Sequence, residues 1–180
     1  INGKDTLALT KDIPVSFYNE ESDVPQKKRS YGAAGWVKGD EYFLVYDLYD
    51  IWKIDPDMEE KPVCLTAGYG RKSEVKFKNI QLDKEAFDID LKAPLLLSAF
   101  DEKTKQSGFF RVGERYKSPV KLIMEDVRFY RPEKARNAKA LLWRKSRFDE
   151  YAELYTSDMN FKSIKQHTDL TEQMNKYLWV

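Results

Sequence analysis

Cysteine, histidine and the short motifs that build reactive sites are scarce in this chain. Cys64 is the single cysteine, which excludes an internal disulfide and a cysteine-rich zinc site. His167 is the single histidine, which excludes a His-Glu-x-x-His metal site. No Gly-x-Ser-x-Gly motif occurs, so the strained turn that carries the nucleophile of many serine hydrolases is missing. We therefore predict no catalytic residue, no cofactor-binding residue and no metal ligand in these 180 residues.

Long hydrophobic runs and a strong net charge are also missing. Apolar runs such as residues 93–97 are far too short to span a bilayer. Lysine and arginine total 31 against 30 acidic residues, so no overall field attracts nucleic acid or anionic lipid. The basic run at residues 27–29 would neutralise too few phosphates for appreciable binding, and we interpret it as a solvated loop. We expect no nucleic acid and no membrane among the partners.

Three stretches share one plan, at residues 41–66, 94–124 and 139–168. In each, an apolar strand, a polar turn, a second strand with aromatics, a charged turn and a third strand follow one another. Leu44, Leu96 and Leu142 occupy equivalent places, 52 and 46 residues apart, close to the period of about 40–50 residues that is typical of propeller blades. Residues 33–38, 75–82, 126–131 and 175–180 are the candidates for an innermost strand in each unit. The pattern predicts an all-β chain, a partial β-propeller of about three four-stranded antiparallel blades.

Two segments have less regular patterns. Residues 19–30 are polar and contain Pro25, which indicates a long loop. Residues 133–139 contain good helix formers and could form a turn or two of helix. We favour a charged connector before the next strand.

Several motifs could carry chemistry, but a structural role is favoured for each. The acidic residues 55–60 lack the glycine of a calcium loop and are typical of a hairpin turn. Cys64 has no charged neighbour in the chain, which favours a small core residue over a nucleophile. Residues 68–71 (GYGR) lack the full phosphate-loop pattern and indicate a connection between blades with glycines at positive φ. We interpret His167, which lies in a strand pattern, as a structural residue.

Aromatic residues make up 14% of the chain and cluster in the predicted strands. They could stack on sugars or bases, but in strands they more often pack between sheets. We expect them to fill the core between blades. The main members are Tyr42, Phe43, Tyr46, Tyr49, Trp52, Phe109, Phe110, Phe129 and Tyr130.

An ordered series of motifs resembles the propeller of the prolyl oligopeptidase/dipeptidyl-peptidase IV family of serine peptidases, bacterial type. It comprises SFYNEESDVPQKKRSYGAAGW, YFLVYDLYDIWKIDP and LTAGYGRK, followed by AFDEKTKQSGFFR, WRKSRFDEYAELYTSD and NKYLW. In that family the propeller caps a C-terminal α/β-hydrolase domain with a Ser-Asp-His triad. No triad residue can be carried over to this chain. Glu20-Glu21 is a glutamate pair, but its loop context does not match the pair that binds the peptide amino terminus in dipeptidyl peptidases.

The resemblance implies a division of the chain. Residues 1–35 would be the end of a preceding blade plus a loop, and residues 36–74, 75–125 and 126–170 three blades. Residues 171–180 would start the next blade or link to a hydrolase domain outside this chain. The implied partners are that domain and short peptides in a parent enzyme that is periplasmic, cell-envelope or secreted.

Three functions follow as hypotheses. The first is a non-catalytic propeller segment that gates substrate access to a peptidase site. The second is a free-standing propeller module of the TolB type that binds a protein partner. The third is a sugar-binding propeller. Because exposed strand edges and blade faces invite pairing, we also expect self-association of this chain.

Overall fold

The computed structural model describes residues 6–113 and 115–170, and these form three antiparallel sheets with one short helix. The predictions for residues 171–180 and for the strand at 175–180 lie outside the described residues. The strands of sheet 1 are β1 (Ala33–Trp36), β2 (Phe43–Tyr46), β3 (Ile51–Ile54) and β4 (Val63–Cys64). Helix α1 (Tyr69–Ser73) leads to sheet 2, with β5 (Val75–Ile80), β6 (Leu95–Asp101), β7 (Ser107–Val112) and β8 (Val120–Glu125). Sheet 3 contains β9 (Arg128–Phe129), β10 (Glu133–Lys134), β11 (Ala140–Ser146), β12 (Glu153–Asp158) and β13 (Lys165–Gln166).

Each sheet is a meander in which strands that are adjacent in sequence pair side by side. The orders are β1-β2-β3-β4, β5-β6-β7-β8 and β10-β11-β12-β13. In sheet 3 both β9 and β10 pair with β11, at opposite ends of that strand. Pro132 lies between them and has no N–H to donate to a ladder, so the innermost strand is interrupted there. The predicted fold class, an all-β partial propeller with three four-stranded antiparallel units, is confirmed.

The sheets stack face to face because sheet 2 carries apolar side chains on both of its faces. The first core lies between sheets 1 and 2 and includes Leu44, Ile51, Phe77, Leu97 and Phe110. The second lies between sheets 2 and 3 and includes Ile80, Leu96, Phe109, Leu141 and Trp143. Fully burying a side chain of this size contributes about 1.5–3 kcal/mol, so the two layers dominate the stability.

The three leucines of the sequence repeat keep the same orientation. Leu44 and Leu96 are almost fully buried, each facing the sheet that follows its own. Leu141 and Trp143 face sheet 2, so Leu142 between them faces the opposite way and is 40% exposed. We define this side as the outer face of sheet 3. Within residues 6–113 and 115–170, no further sheet covers it.

The opposite end of the stack is covered by the chain itself. Phe17 packs edge-to-face on Trp52 at 6.2 Å between ring centroids, and Ile13 is buried. The loop predicted at residues 19–30 is closed by an antiparallel bridge between Tyr18 and Ser30. No helix forms at residues 133–139, because β10 and a turn occupy them, as the connector interpretation predicted.

Candidate functional site

The charged turns predicted between strands are held by aspartates that accept backbone N–H groups. Asp55 accepts from Asp57, Glu59 and Glu60, each at 2.8 Å. Its pKa is lowered, chiefly by the bond from the Glu60 N–H and then by that from Asp57. Asp101 and Asp158 hold two further turns in the same way. Residues 55–60 therefore form a hairpin turn whose first carboxylate is engaged by its own backbone.

A buried carboxylate ties sheet 1 to the segment that leaves it. Asp50 precedes β3 and is 2% exposed. Its Oδ1 accepts from the Thr66 hydroxyl at 2.5 Å and the Gly70 N–H at 2.9 Å, and its Oδ2 accepts from the Arg71 N–H at 3.0 Å. Thr66 is fully buried, and its oxygen also accepts the Ile51 N–H. The carboxylate thus satisfies the hydrogen bonds of buried groups from two segments of the chain and holds them together.

Asp47 supports the same corner from the turn between β2 and β3. Its Oδ1 accepts the N–H groups of Tyr49 and Asp50, at 2.6 and 2.7 Å. Its Oδ2 accepts from the Trp52 indole at 3.0 Å and lies 3.5 Å from the Arg71 guanidinium. The buried charge is therefore paired and fully hydrogen-bonded, as a buried carboxylate must be to be tolerated.

The same arrangement recurs at the start of the third strand in the other two sheets. In sheet 3, Glu153 accepts from the Thr168 hydroxyl and from the Leu170 N–H, and the Thr168 oxygen accepts the Leu154 N–H. In sheet 2 the register places Gly108 at this position, and the preceding Ser107 accepts the Phe129 N–H and donates to the Val127 carbonyl. One side chain in each sheet thus holds the chain as it leaves that sheet.

The residues 68–71 connect sheets 1 and 2, as the sequence predicted, but not by two glycines at positive φ. Gly68 has φ of 68° and begins helix α1. Gly70 does not lie at positive φ, which corrects that expectation. A Cβ on Gly70 would lie 2.7 Å from Asp50 Oδ1 and 2.8 Å from the Tyr49 and Val75 carbonyl oxygens. Gly70 is therefore required by close approach, not by its dihedral angles.

Cys64 and His167 also have structural partners. Cys64 is half-buried, its sulfur accepts the Gly68 N–H at 3.2 Å, and burial raises the pKa of its thiol. A thiol with a raised pKa is a poor nucleophile at neutral pH. His167 is exposed, and its Nε2 lies 2.7 Å from the Thr156 hydroxyl.

The Glu20-Glu21 pair is engaged by its own chain. Glu20 accepts from the Ser16 hydroxyl at 2.8 Å, and Glu21 pairs with Lys76 at 3.1 Å. Lys76 also contacts Glu102 at 2.5 Å. Tyr49 donates to Glu102 at 2.8 Å, and burial together with this bond raises the pKa of Tyr49 to about 12.

Several aromatic residues of the predicted strands pack in the two cores between the sheets. Phe77 and Phe110 meet edge-to-face at 5.2 Å in the first core, and Phe109 and Phe129 meet at 5.1 Å in the second. Phe43 packs on Trp36, at 4.8 Å. The prediction that these rings fill the spaces between sheets is confirmed for Tyr46, Phe109, Phe110 and Phe129.

The innermost strands of all three sheets line one groove of about 540 Å³, which we call the inner groove. Ala33 and Ala34 of β1, Asn79 and Ile80 of β5, and Phe129 of β9 contribute to it. Tyr46 lies at its base, where its hydroxyl accepts the Asn79 N–H at 3.1 Å. Sequence reasoning predicted the strands but not this groove, because it exists only once three sheets are stacked.

One polar atom of the inner groove lacks a partner. Asn79 Oδ1 is buried from solvent and accepts no hydrogen bond within the described residues. A buried amide oxygen without a donor costs about 1–3 kcal/mol, which a bound N–H or O–H group would recover. The groove is also lined by the polar side chains of Gln81, Ser98, Ser107 and Arg131. It holds no pair of groups for acid–base or nucleophilic chemistry.

Two further features are absent from the described residues. No group of three or more His, Cys, Asp or Glu residues there could hold a metal ion. No helix among these residues is long and apolar enough to cross a membrane.

The comparisons with known proteins give one structural likeness. No protein-family model matches the chain. No curated protein matches it. A solved structure described as TolB from Agrobacterium tumefaciens matches with a TM-score of 0.47 and 13% identity over 78% of this chain. The chain spans about half of that structure, 52% of its length. The resemblance to the serine peptidase family gains no support from these comparisons.

Proposed function

We propose that this chain is a non-catalytic propeller module that binds a polypeptide partner in the inner groove. The observation that carries the proposal is the unpartnered Asn79 Oδ1, buried where the innermost strands of three sheets converge. Peptide N–H groups are the donors that a protein partner supplies most readily. The small side chains of Ala33 and Ala34 leave room for a backbone to approach Asn79.

The arrangement of the sheets supports a binding role over a reactive one. The two apolar cores lie between sheets and hold the three innermost strands in fixed positions. A groove on rigid strands is preorganised, so little conformational entropy is lost when a ligand binds. The buried carboxylates accept backbone N–H groups of the chain itself. They are Asp47, Asp50 and Glu153.

A pair of tryptophan substitutions tests the site. Short random peptides displayed on phage would be selected on the full chain, and the best one, labelled with fluorescein, measured by fluorescence polarisation. Ala33 is exposed and lines the groove, so Ala33→Trp would fill it with little effect on the core. Ala138 is exposed in the turn before β11, and Ala138→Trp is the matched control. We expect Ala33→Trp to weaken binding at least about tenfold, a free-energy change of about 1.4 kcal/mol, and Ala138→Trp to leave it unchanged.

Asn79→Leu separates the hydrogen bond from the shape of the groove. It removes the amide oxygen but keeps the backbone N–H that bonds Tyr46. We expect weaker peptide binding with an unchanged free energy of unfolding or a slightly increased one, since a buried unpartnered oxygen is removed. Peptides that bind Ala33→Trp and Asn79→Leu as well as the original chain would refute the groove as the site.

The gating role implied by the peptidase motifs is a second proposal, and it rests on the quoted motifs alone. It requires a hydrolase domain and short peptides as partners. A Gly-x-Ser-x-Gly region encoded after Val180 in the parent gene would support it, and an unrelated sequence there would oppose it. Turnover of Gly-Pro or Ala-Pro chromogenic substrates by this chain itself would contradict both proposals.

A further inference from the structure

A second groove, of about 600 Å³, lies between the turns of sheets 2 and 3. Phe100 and Lys105 bound it on the β6–β7 hairpin, and Phe148 bounds it on the β11–β12 hairpin. Arg128 and Tyr130, in and directly after β9, form its floor. We call it the loop-end groove. It adjoins the inner groove along β9, but its chemistry differs and it goes beyond the function proposed above.

Two phenylalanines face solvent across this groove. Phe148 is fully exposed and Phe100 is 40% exposed. Single exposed apolar residues are common and need no explanation. Two exposed rings on opposite walls of one concave surface, with Tyr130 between them, are instead the composition of a protein-binding surface, where aromatic residues and arginine are enriched.

The groove also carries two cations that form no direct ion pair among the described residues. Lys105 lies 6.0 Å above the Phe100 ring and Arg128 lies 5.1 Å from the Tyr130 ring, and neither forms an ion pair within the described residues. Arg144 of β11 lies 4.8 Å from the same Tyr130 ring but does not line the groove.

The carboxylates of the groove do not neutralise these cations. Asp126 and Asp149 line the groove, but both contact Arg147, at 3.9 and 3.6 Å. Asp126 and Asp149 share one arginine, so Lys105, Arg128 and Arg147 exceed the two carboxylates of the groove by one positive charge.

We propose that the loop-end groove binds an acidic linear peptide that also carries bulky apolar side chains. The unpaired cations select carboxylates, because charge-assisted bonds to an ionised acceptor are the stronger ones. The exposed rings of Phe100 and Phe148 bury the apolar side chains. The two unpaired cations, Lys105 and Arg128, would neutralise too few phosphates to hold a nucleic acid, which favours a peptide as the occupant.

The test uses fluorescein-labelled peptides with the full chain and fluorescence polarisation. The probe alternates glutamate and phenylalanine between glycine–serine ends. One control peptide has lysine in place of glutamate, and a second has alanine in place of phenylalanine. We expect the probe to bind at least about tenfold more tightly than either control, and its affinity to fall as salt is raised because the cations are exposed.

Paired substitutions locate the binding site. The double variant Lys105→Ala/Arg128→Ala should weaken binding of the probe at least about tenfold. Its matched control is Lys121→Ala/Lys165→Ala, which removes two exposed lysines from β8 and β13 and should leave the affinity unchanged. Arg128→Lys keeps the charge but loses the guanidinium over the Tyr130 ring, so an intermediate affinity is expected.

Three outcomes would overturn the proposal. The first is equal binding of the glutamate and lysine peptides. The second is unchanged binding by the Lys105→Ala/Arg128→Ala variant, whose fold is checked by its circular dichroism. The third is binding of neutral oligosaccharides but not of the probe. Because Ala33→Trp fills only the inner groove, its effect on this probe distinguishes failure of the two sites.

Discussion

The hydroxyl of Thr66 offers the sharpest test of how sheet 1 is joined to the rest of the chain. Thr66→Val keeps a similar shape but removes the donor to Asp50 and the acceptor of the Ile51 N–H. A hydrogen bond to a charged group contributes about 1.5–3 kcal/mol, and an unsatisfied buried N–H costs about 1–3 kcal/mol. Since Thr66 is fully buried, water cannot replace either bond. We expect the free energy of unfolding to fall by about 3–5 kcal/mol.

Two variants serve as controls for the Thr66 prediction. Thr66→Ser keeps the hydroxyl and loses one buried methyl group, which costs about 1 kcal/mol. Thr168→Val removes the equivalent hydroxyl in sheet 3, where the residue is only half-buried, so about 1–2 kcal/mol is expected. Urea unfolding followed by tryptophan fluorescence measures all three, and Trp52 lies within the same network. A loss for Thr66→Val no larger than that for Thr66→Ser would refute the reasoning.

The remaining predictions concern close approach, titration and association. Gly70→Ala should lower the free energy of unfolding by about 3 kcal/mol in urea unfolding, because its Cβ would lie within 2.8 Å of two backbone oxygens. Tyr49 should ionise near pH 12. An ultraviolet titration measures this as the difference in absorbance between the original chain and Tyr49→Phe. Because the folded-state pKa of Tyr49 exceeds the unfolded value of about 10, its contribution to stability is complete below that pH and is lost as the pH rises through about 12. The chain should self-associate through the outer face of sheet 3. Light scattering should therefore show a smaller species for Leu142→Lys than for the control Val63→Lys, which places the same charge on exposed β4. A strictly monomeric original chain would contradict this prediction.

The strands could be predicted from the sequence because burial on both faces gives short continuous apolar runs, and burial on one face gives a period of two. The apolar segments at residues 95–101 and 140–146 coincide with β6 and β11. The spacing of Leu44, Leu96 and Leu142 even marks one face of each sheet. Helix α1 could not be predicted, because five residues are too few to show a helical period.

The candidate sites could not be predicted, because they depend on contacts that the strand pattern does not encode. Asp50 looks like a turn residue in the sequence, yet its partners Thr66 and Gly70 lie 16 and 20 residues later. Asn79 lies within an ordinary strand, and its unpartnered oxygen is evident only when sheets 1 and 3 are placed beside β5. The aromatic prediction was right for the core but gave no reason to separate Phe148 from the buried rings.

A polar side chain near the start of the third strand links the separate sheets into one stack. Asp50 directly precedes β3, Ser107 and Glu153 begin β7 and β12, and each accepts a backbone N–H of the departing chain. The side chains are an aspartate, a serine and a glutamate. The three sheets therefore share this contact although their sequences differ at it. The bonded residues of the departing segment lie only a few positions from the next innermost strand. These bonds therefore also determine which face the next sheet covers. Sheet 3 also holds its departing chain, through Glu153. Leu142 is the equivalent of Leu44, which sheet 2 covers, but Leu142 is exposed. The exposed outer face of sheet 3 is therefore built on the same plan as the two faces that are buried, which is why we expect it to be the surface through which the chain associates.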